Sequence, residues 1–235
     1  MKVLITAGST WSKVDDVRIL TNRFTGKTGL GLAQGLKNKG HSVTLLINPH
    51  CLGEAIPSGV IKIKGLKVIS YRYFEEFKKE VSKAIKKQRY DAIIHSAAVS
   101  DYKLKRQFGG KIPSGKSRSL KLIPTEKVIK RIRRLASKSV LIQFKLEPKQ
   151  KGIIDKAYKS LRENRSDFVI ANALEDLENG YKGFLIDKDK KVIPLGSKNM
   201  LLFALDKIIR ENNRNIKKSK PFFFCKNRTC YNKKS

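Results

Sequence analysis

The sequence predicts an α/β fold with a mostly parallel central sheet, and three observations lead there. Strand-like apolar runs alternate repeatedly with helical patterns along the chain. Several runs, "VLI" near the start, "AIIHSAAV" and "FVIAN", are apolar without alternation, as strands buried on both faces are. These runs end on small or polar residues, where sheets of this class bind ligands.

Taken in order, residues 3–5 belong to the first strand, which breaks at Ala7-Gly8. A strand ending in Gly8 with Ser9 and Thr10 behind it offers backbone N–H groups to a phosphate. A long polar detour follows before the first helix, expected from about Gly29 in "GLGLAQGLKNKG" and stopped by Gly40. A connection of that length usually carries function. "HSVTLLIN" is the second strand. A Pro- and Gly-punctuated loop covers residues 49–59, and "GVIKIKGLKVISYR" alternates as a strand or a broken pair of strands does. Phe74, Phe77, Val81 and Ile85 recur at helical spacing, and "YDAIIHSAAVSDY" is a central strand. Residues 103–119 are basic and glycine-rich without periodicity. "LKLIP" reads as a short strand, with Thr125 placed to cap the helix "EKVIKRIRRLAS". "SVLIQFKLEP" is a strand, "GIIDKAYKSLRENR" a helix and "SDFVIANAL" a strand. "YKGFLIDKDKKVIPLG" is a hairpin turning near Lys188-Asp189, and "SKNMLLFALDKIIREN" is a closing amphipathic helix. The carboxyl ends of these strands gather Gly8-Ser9-Thr10, residues 96–101, residues 144–147 and Ala171-Asn172 into one cleft of nucleotide size.

Two phosphate motifs fail here. Gly26-Lys27-Thr28 ends like a P-loop, but Thr21 stands where its first glycine belongs. Gly29, Gly31 and Gly35 miss the dinucleotide spacing and lie within the expected helix rather than in the turn before it. The second strand ends in Asn48-Pro49, without the acidic residue a nicotinamide-dependent oxidoreductase uses there.

The 235 residues suit one α/β domain with additions, or two small ones, and 40% hydrophobic content supports a sizeable core. Lys and Arg number 52 against 20 Asp and Glu, a formal charge of +32. That balance suits nucleic acid or anionic ligands. The cations are nevertheless spread over nearly every helix and loop with no aromatic interleaving, and no nucleic-acid-binding module is recognisable. Three cysteines in this length indicate a reducing compartment, and no apolar run approaches membrane length. The expectation is a cytoplasmic protein with neither membrane nor nucleic acid as partner.

The blocks "TAGST", "DDVRILTNRFTGKTG", "HSAAVSDY", "GGKIPSG", "LKLIPTEKVI", "FKLE" and "SDFVIAN" follow one another between about residues 2 and 210. In content and order they resemble the phosphopantothenate–cysteine ligases, or phosphopantothenoylcysteine synthetases. The resemblance implies a Rossmann-like three-layer sandwich with a mostly parallel sheet and a small β hairpin or dimerisation element. It implies one synthetase domain over residues 1–211 in standalone form, coupled to a separate decarboxylase, with residues 212–235 a basic, disordered tail. The implied reaction activates the carboxylate of 4′-phosphopantothenate with a nucleoside triphosphate, CTP or alternatively ATP, and Mg²⁺. The amine of cysteine then displaces the nucleoside monophosphate.

The resemblance also implies roles. Asn22 and Lys111 are the catalytic residues, Asn22 holding the activated acyl group and Lys111 belonging to a lid hinged at Gly109-Gly110. Gly8, Ser9, Thr10, Ala97, Ala98, Asp101, Lys111, Phe144 and Lys159 bind the nucleotide. Asn22, Arg23, Gly26 and Lys27 bind the substrate, and the metal ligands stay open. A homodimer is implied, with residues 59–71 or the late hairpin supplying intersubunit strands. The chain departs from many fused bacterial members in "KIPS" for "KIKK" and in Ser160 and Asn164, where those members carry lysines. Lys159 or Arg165 is available to substitute. Cys225 and Cys230 lie in the tail with too few other ligands for zinc. His95, in a buried strand, reads as a satisfied core histidine.

Overall fold

The computed structural model describes residues 1–52, 63–177 and 181–215. Its elements are β1 (Lys2–Ala7), β2 (Trp11–Lys13), β3 (Ile19–Thr21), α1 (Lys27–Asn38), β4 (Ser42–Ile47), β5 (Lys67–Ser70), α2 (Phe74–Lys87) and β6 (Ala92–His95). They continue with β7 (Tyr102–Leu104), β8 (Leu122–Pro124), α3 (Val128–Leu135), β9 (Val140–Glu147), α4 (Ile153–Asn164) and β10 (Phe168–Ala173). The last are α5 (Leu174–Leu177), β11 (Gly183–Asp187), β12 (Val192–Leu195) and α6 (Lys198–Asn215).

Apolar strands without alternation need cover on both faces, and the sheet they form has it. Eight strands lie in the order β12-β11-β10-β9-β6-β1-β4-β5, the last six parallel with one another and the late hairpin β11–β12 antiparallel. Among themselves the parallel strands follow the doubly wound arrangement, with the reversal of strand order between β1 and β6. Because side chains alternate along a strand, Val3 and Ile5 face one way and Leu4 the other. Val3, Ile5, Leu32, Leu36, Leu201 and Leu205 share the core beneath α1 and α6. Leu4, Phe77, Val81, Ile93 and Ile132 share the core beneath α2 and α3, and Ile153, Ala157 and Val169 the core beneath α4. This is the expected three-layer sandwich.

The detour after β1 is not irregular. β2 and β3 pair antiparallel across a turn in which the Asp15 side chain accepts from the amides of Val17 (2.8 Å) and Arg18 (2.6 Å). Such a turn is set by local side-chain hydrogen bonds and leaves no apolar period to read. Helix α1 begins at Lys27, earlier than expected, with Gly26 as its N-cap. Thr125 does not cap α3. Its hydroxyl donates to the Ser100 carbonyl oxygen at 2.7 Å, tying β8 to the end of β6, and α3 starts at Val128 without a side-chain cap. Helix α6 runs past residue 211 to Asn215. The stretch expected as a strand or strand pair yields β5 alone among its described residues; its first four residues, 59–62, and the tail with Cys225 and Cys230 lie outside the described residues.

Candidate active site

The site grows from the point where the strand order reverses. Beyond β1 and β6 the two chains stay joined, Ala98 N–H donating to Gly8 O (3.0 Å) and Thr10 N–H to Ala98 O (3.4 Å). The buried Thr10 hydroxyl accepts from Ser100 N–H at 2.9 Å, and the Tyr71 hydroxyl lies 2.6 Å from Ala7 O. These bonds hold a rigid lip of backbone at the mouth of the sheet.

The first turn of α1 rests on that lip, and glycine permits it. Gly8 and Gly26 take φ values of 81° and 82°. A Cβ on Gly26 would stand 2.6 Å from Gly8 N, and one on Gly29 2.5 Å from Ala7 Cβ. Ser9 Oγ lies 2.7 Å from both Asn22 O and Phe24 O, pinning the loop before α1. Exposed Asn22 then donates through Nδ2 to Ala98 O at 3.2 Å. Gly26 caps α1 without a side chain and no acidic residue stands in the first turn; Lys27 N–H donates to Thr25 Oγ1 at 3.4 Å, and the positive dipole end faces the cleft ready for an anion.

Two cavities open here. One of about 440 Å³ is bordered by Asn22, Gly26, Lys27, Ala98, Asn172 and Tyr181. The other, of about 530 Å³, is bordered by His95, Gln143, Lys156, Lys159, Ser160 and Asn164. Ala97, Val99, Asp101, Phe144 and Lys145 border both, so the two form one cleft across the strand ends.

The floor of the second cavity is a closed polar network. Buried Gln143 accepts from Asn164 Nδ2 and from the Ser166 hydroxyl, both at 3.0 Å, and donates to Ser160 Oγ at 3.2 Å. Ser160 and Asn164 thus serve this wall as neutral hydrogen-bonding groups. Lys159 borders the same cavity, whereas Arg165 sits in the left-handed conformation ending α4 and does not. Burial pushes the pKa of His95 down to about 4, so its ring is neutral near pH 7. Thr6 Oγ1, which accepts from Ala97 N–H at 3.4 Å, lies 2.9 Å from His95 Nδ1 and so fixes the orientation of the ring. Against the upward push of partial burial, Lys156 and Lys145 hold the Glu147 carboxyl below the usual carboxylate range.

Of the expected residues, Asn22, Gly26, Lys27, Ala97, Ala98, Asp101, Phe144 and Lys159 border the cleft. Gly8, Ser9 and Thr10 form the lip behind it, and Asp101 pairs with Lys127 at 2.6 Å. Arg23 and Lys111 border neither cavity. The segment carrying Lys111 is docked on the turn of the first ribbon. Phe108 N–H donates to Val14 O (3.0 Å), Gly110 N–H to Asp16 Oδ2 (2.9 Å) and Ile112 N–H to Asp15 Oδ2 (3.0 Å). The Ile112 amide foremost, with those of Val17 and Arg18 and the Arg18 guanidinium, holds the Asp15 carboxyl far below the usual carboxylate range. Gln143 and Tyr181 were not expected in the site. Gln143 is legible afterwards as the polar break in "VLIQF"; Tyr181 follows no local signal.

A magnesium ion suits this donor set only as a nucleotide-bound ion. Among the described residues no group of three His, Cys, Asp or Glu side chains is placed to hold a metal. Asp101 and Glu126 border the cleft, and one or two carboxylates with phosphates and water are the usual surroundings of magnesium.

A doubly wound sheet with a lysine-rimmed cleft at its switch point defines a Rossmann-like class of α/β protein, whose ligands bind beyond the carboxyl ends of the strands. Residues 1–209 match the family described as DNA/pantothenate metabolism flavoprotein C-terminal domain, and the chain belongs to that family. Over 176 residues it is 33% identical to the coenzyme A biosynthesis bifunctional protein CoaBC of Thermococcus kodakarensis, covering 74% of this chain and 41% of that protein. It is 34% identical over 176 residues to the CoaBC of Borreliella burgdorferi, covering 74% and 43%. The chain therefore spans less than half the length of these curated relatives. The solved DNA/pantothenate metabolism flavoprotein from Streptococcus pneumoniae superposes with a TM-score of 0.78 at 24% identity, covering 90% of this chain and 99% of that one. A Cab2 variant in complex with phosphopantothenate-cysteine superposes at 0.74 with 19% identity, covering 94% and 89%. Both show the same fold.

Proposed function

We propose that this protein is a ligase of coenzyme A biosynthesis, joining 4′-phosphopantothenate and L-cysteine at the expense of CTP or ATP. The observation that carries the reading is the cleft itself: the glycine-capped start of α1 and the Asn22 amide on one wall, and Lys145, Lys156 and Lys159 on the other. The names of the curated relatives support the pathway.

In the first step a carboxylate oxygen of phosphopantothenate attacks the α-phosphorus of the nucleotide, and the bond to the β-phosphate bridging oxygen breaks, releasing pyrophosphate. The first-turn amides of α1 and the lysines of the cleft offset the anionic charge brought together there. Asp101 or Glu126 would help hold a nucleotide-bound magnesium ion, which would supply further neutralisation. In the second step the cysteine amine attacks the acyl carbon. The nucleoside monophosphate leaves with the bonding electron pair, and the amine gives up a proton. The Asn22 amide can donate to the acyl oxygen without competing as a nucleophile, which suits it to hold the intermediate in line. Gly8, Ser9 and Thr10 serve by shaping the lip, and Ala97 and Ala98 by letting the ligand approach the backbone. Asp101 and Phe144 contact the nucleotide, while Arg23, Gly26 and Lys27 engage the substrate. Lys111 joins the phosphates when its segment swings from the Asp15–Asp16 turn.

The enzyme works as a cytoplasmic homodimer, and its product passes to a decarboxylase. No helix among the described residues is long and apolar enough to cross a membrane. The decisive assay is pyrophosphate release with phosphopantothenate, cysteine and each of four nucleotides, on wild type and Asn22→Ala. Wild type should release pyrophosphate and form the amide with CTP or ATP. Asn22→Ala should lose amide formation while keeping some phosphopantothenate-dependent pyrophosphate exchange, and quenched samples should show the acyl-nucleotide by mass. Wild-type amide formation by the variant would remove Asn22 from the mechanism.

A further inference from the structure

Strand β9 runs past its neighbour β6. Its pairing with β6 ends at Gln143, opposite His95, while its pairing with β10 continues to Glu147. The last four residues of β9 are therefore paired in the sheet on one side only, and all four border the cleft. Because side chains alternate along a strand, Gln143, Lys145 and Glu147 share one face. Lys156, Ser160 and Asn164 recur every fourth residue along α4 and meet that row. Asn164 and Ser160 bond to Gln143, and Lys156 bonds to Glu147.

The Glu147 carboxylate joins two cations, Oε1 lying 3.0 Å from Lys145 Nζ and Oε2 3.0 Å from Lys156 Nζ. Its side chain is 14% exposed, against 37% for Lys145 and 57% for Lys156. Ion pairs with lysines this open contribute little to stability. Their effect is on position. A lysine side chain in water turns freely about its long stem, whereas one tied to a carboxylate on a strand keeps its ammonium in place. Lys145 borders both cavities and Lys156 only the larger, so the tied pair runs inward from one cavity to the point where the two meet.

We propose that Glu147 is a positioning residue of the ligase site, fixing Lys145 and Lys156 so that their charge is in place when the nucleotide's α-phosphorus is attacked. The inference rests on the ligase reaction proposed above. In that step the substrate carboxylate oxygen bonds to the α-phosphorus, and the bond to the bridging oxygen breaks, its electron pair leaving with pyrophosphate. Cations that need no reorientation as this charge develops stabilise it most. Glu147 acts through the two lysines rather than on a substrate. Its own negative charge opposes nucleotide binding, so removing it should have opposite effects on binding and on chemistry.

The test follows the first turnover of pyrophosphate release by the full chain, using whichever nucleotide the wild type accepts. It compares wild type, Glu147→Gln, Lys145→Ala and the double variant. Glu147→Gln should slow release at saturating nucleotide roughly ten- to a hundredfold. The nucleotide concentration for half-maximal rate should stay level or fall, because the cleft gains positive charge. Lys145→Ala should slow release and raise that concentration. The double variant should lose clearly less than the product of the two single losses, as residues acting through one contact do. Glu147→Gln should melt within a few degrees of wild type. An unchanged rate in Glu147→Gln, losses that multiply, or a large fall in its melting temperature would overturn this inference and leave the ligase standing. Failure of the wild type to release pyrophosphate with any nucleotide would overturn both.

Discussion

At the scale of residues, the site is built from groups kept neutral or pinned by their surroundings. His95 is the clearest case. Its folded pKa near 4 lies below the 6.5 of a free imidazole, so the folded state refuses a proton that the unfolded chain accepts. Stability contributed by the neutral ring is complete above the unfolded value, declines as pH falls through 6.5 and levels off below 4. The full difference is on the order of 3 kcal/mol. His95→Gln should reduce the fall in urea midpoint between pH 7 and pH 4.5, and an identical fall in both proteins would show that the ring is protonated freely. Asp15 acts in the same direction at lower pH: its carboxyl is charged in the fold, and its contribution is lost as pH falls below the ordinary carboxylate range.

At the scale of elements, α1 shows how one helix uses glycine in two ways. Gly29 lies under the first turn, where an added Cβ would meet Ala7 Cβ at 2.5 Å and Ser96 Oγ at 2.7 Å. Gly31 faces open space, with no atom within 4 Å of such a Cβ. Replacing glycine by alanine in a helix gains up to about 1 kcal/mol from propensity, while forcing an atom into a packed contact costs about 1–3 kcal/mol. The contact wins at Gly29 because the atoms it meets belong to the sheet and its lip and cannot swing away. Gly29→Ala should therefore lower the urea midpoint and weaken nucleotide binding, and Gly31→Ala should raise the midpoint without altering binding. Equal effects from both would mean that α1 is not seated on β1 as described.

At the scale of the whole molecule, exposed apolar side chains gather on the two small ribbons, with Met200 and Phe203 of α6 exposed elsewhere. Val17, Ile19 and Leu20 are exposed on and beside the first ribbon, and Tyr102, Leu120 and Leu122 on and beside the second. We place the proposed homodimer contact on this surface; β12, paired on one side only at the edge of the sheet, is the alternative. Light scattering should give a dimer for wild type and a monomer for the double substitution Leu20→Asp with Leu122→Asp. A wild-type monomer at micromolar concentration would sink the dimer. A double variant that stays dimeric would move the interface elsewhere.

The α/β class, the parallel core and the order of the main elements were determined by the sequence alone, because continuous burial leaves its mark in composition and helical period in spacing. Phe74, Phe77, Val81 and Ile85 predict a helix that runs over Phe74–Lys87. The polar ends of the strands likewise located the cleft, since sheets of this class bind at their carboxyl edge. What the sequence could not carry is whatever depends on partners distant along the chain. Thr125 reads as a helix cap and instead serves Ser100; Lys111 reads as a free lid and is docked on the Asp15–Asp16 turn. Tyr181 gives no local sign, because its place at the cavity depends on β11 pairing with β10 and on the clearance at Gly183. Such hydrogen bonds join residues tens of positions apart, and only the folded sheet brings them within reach.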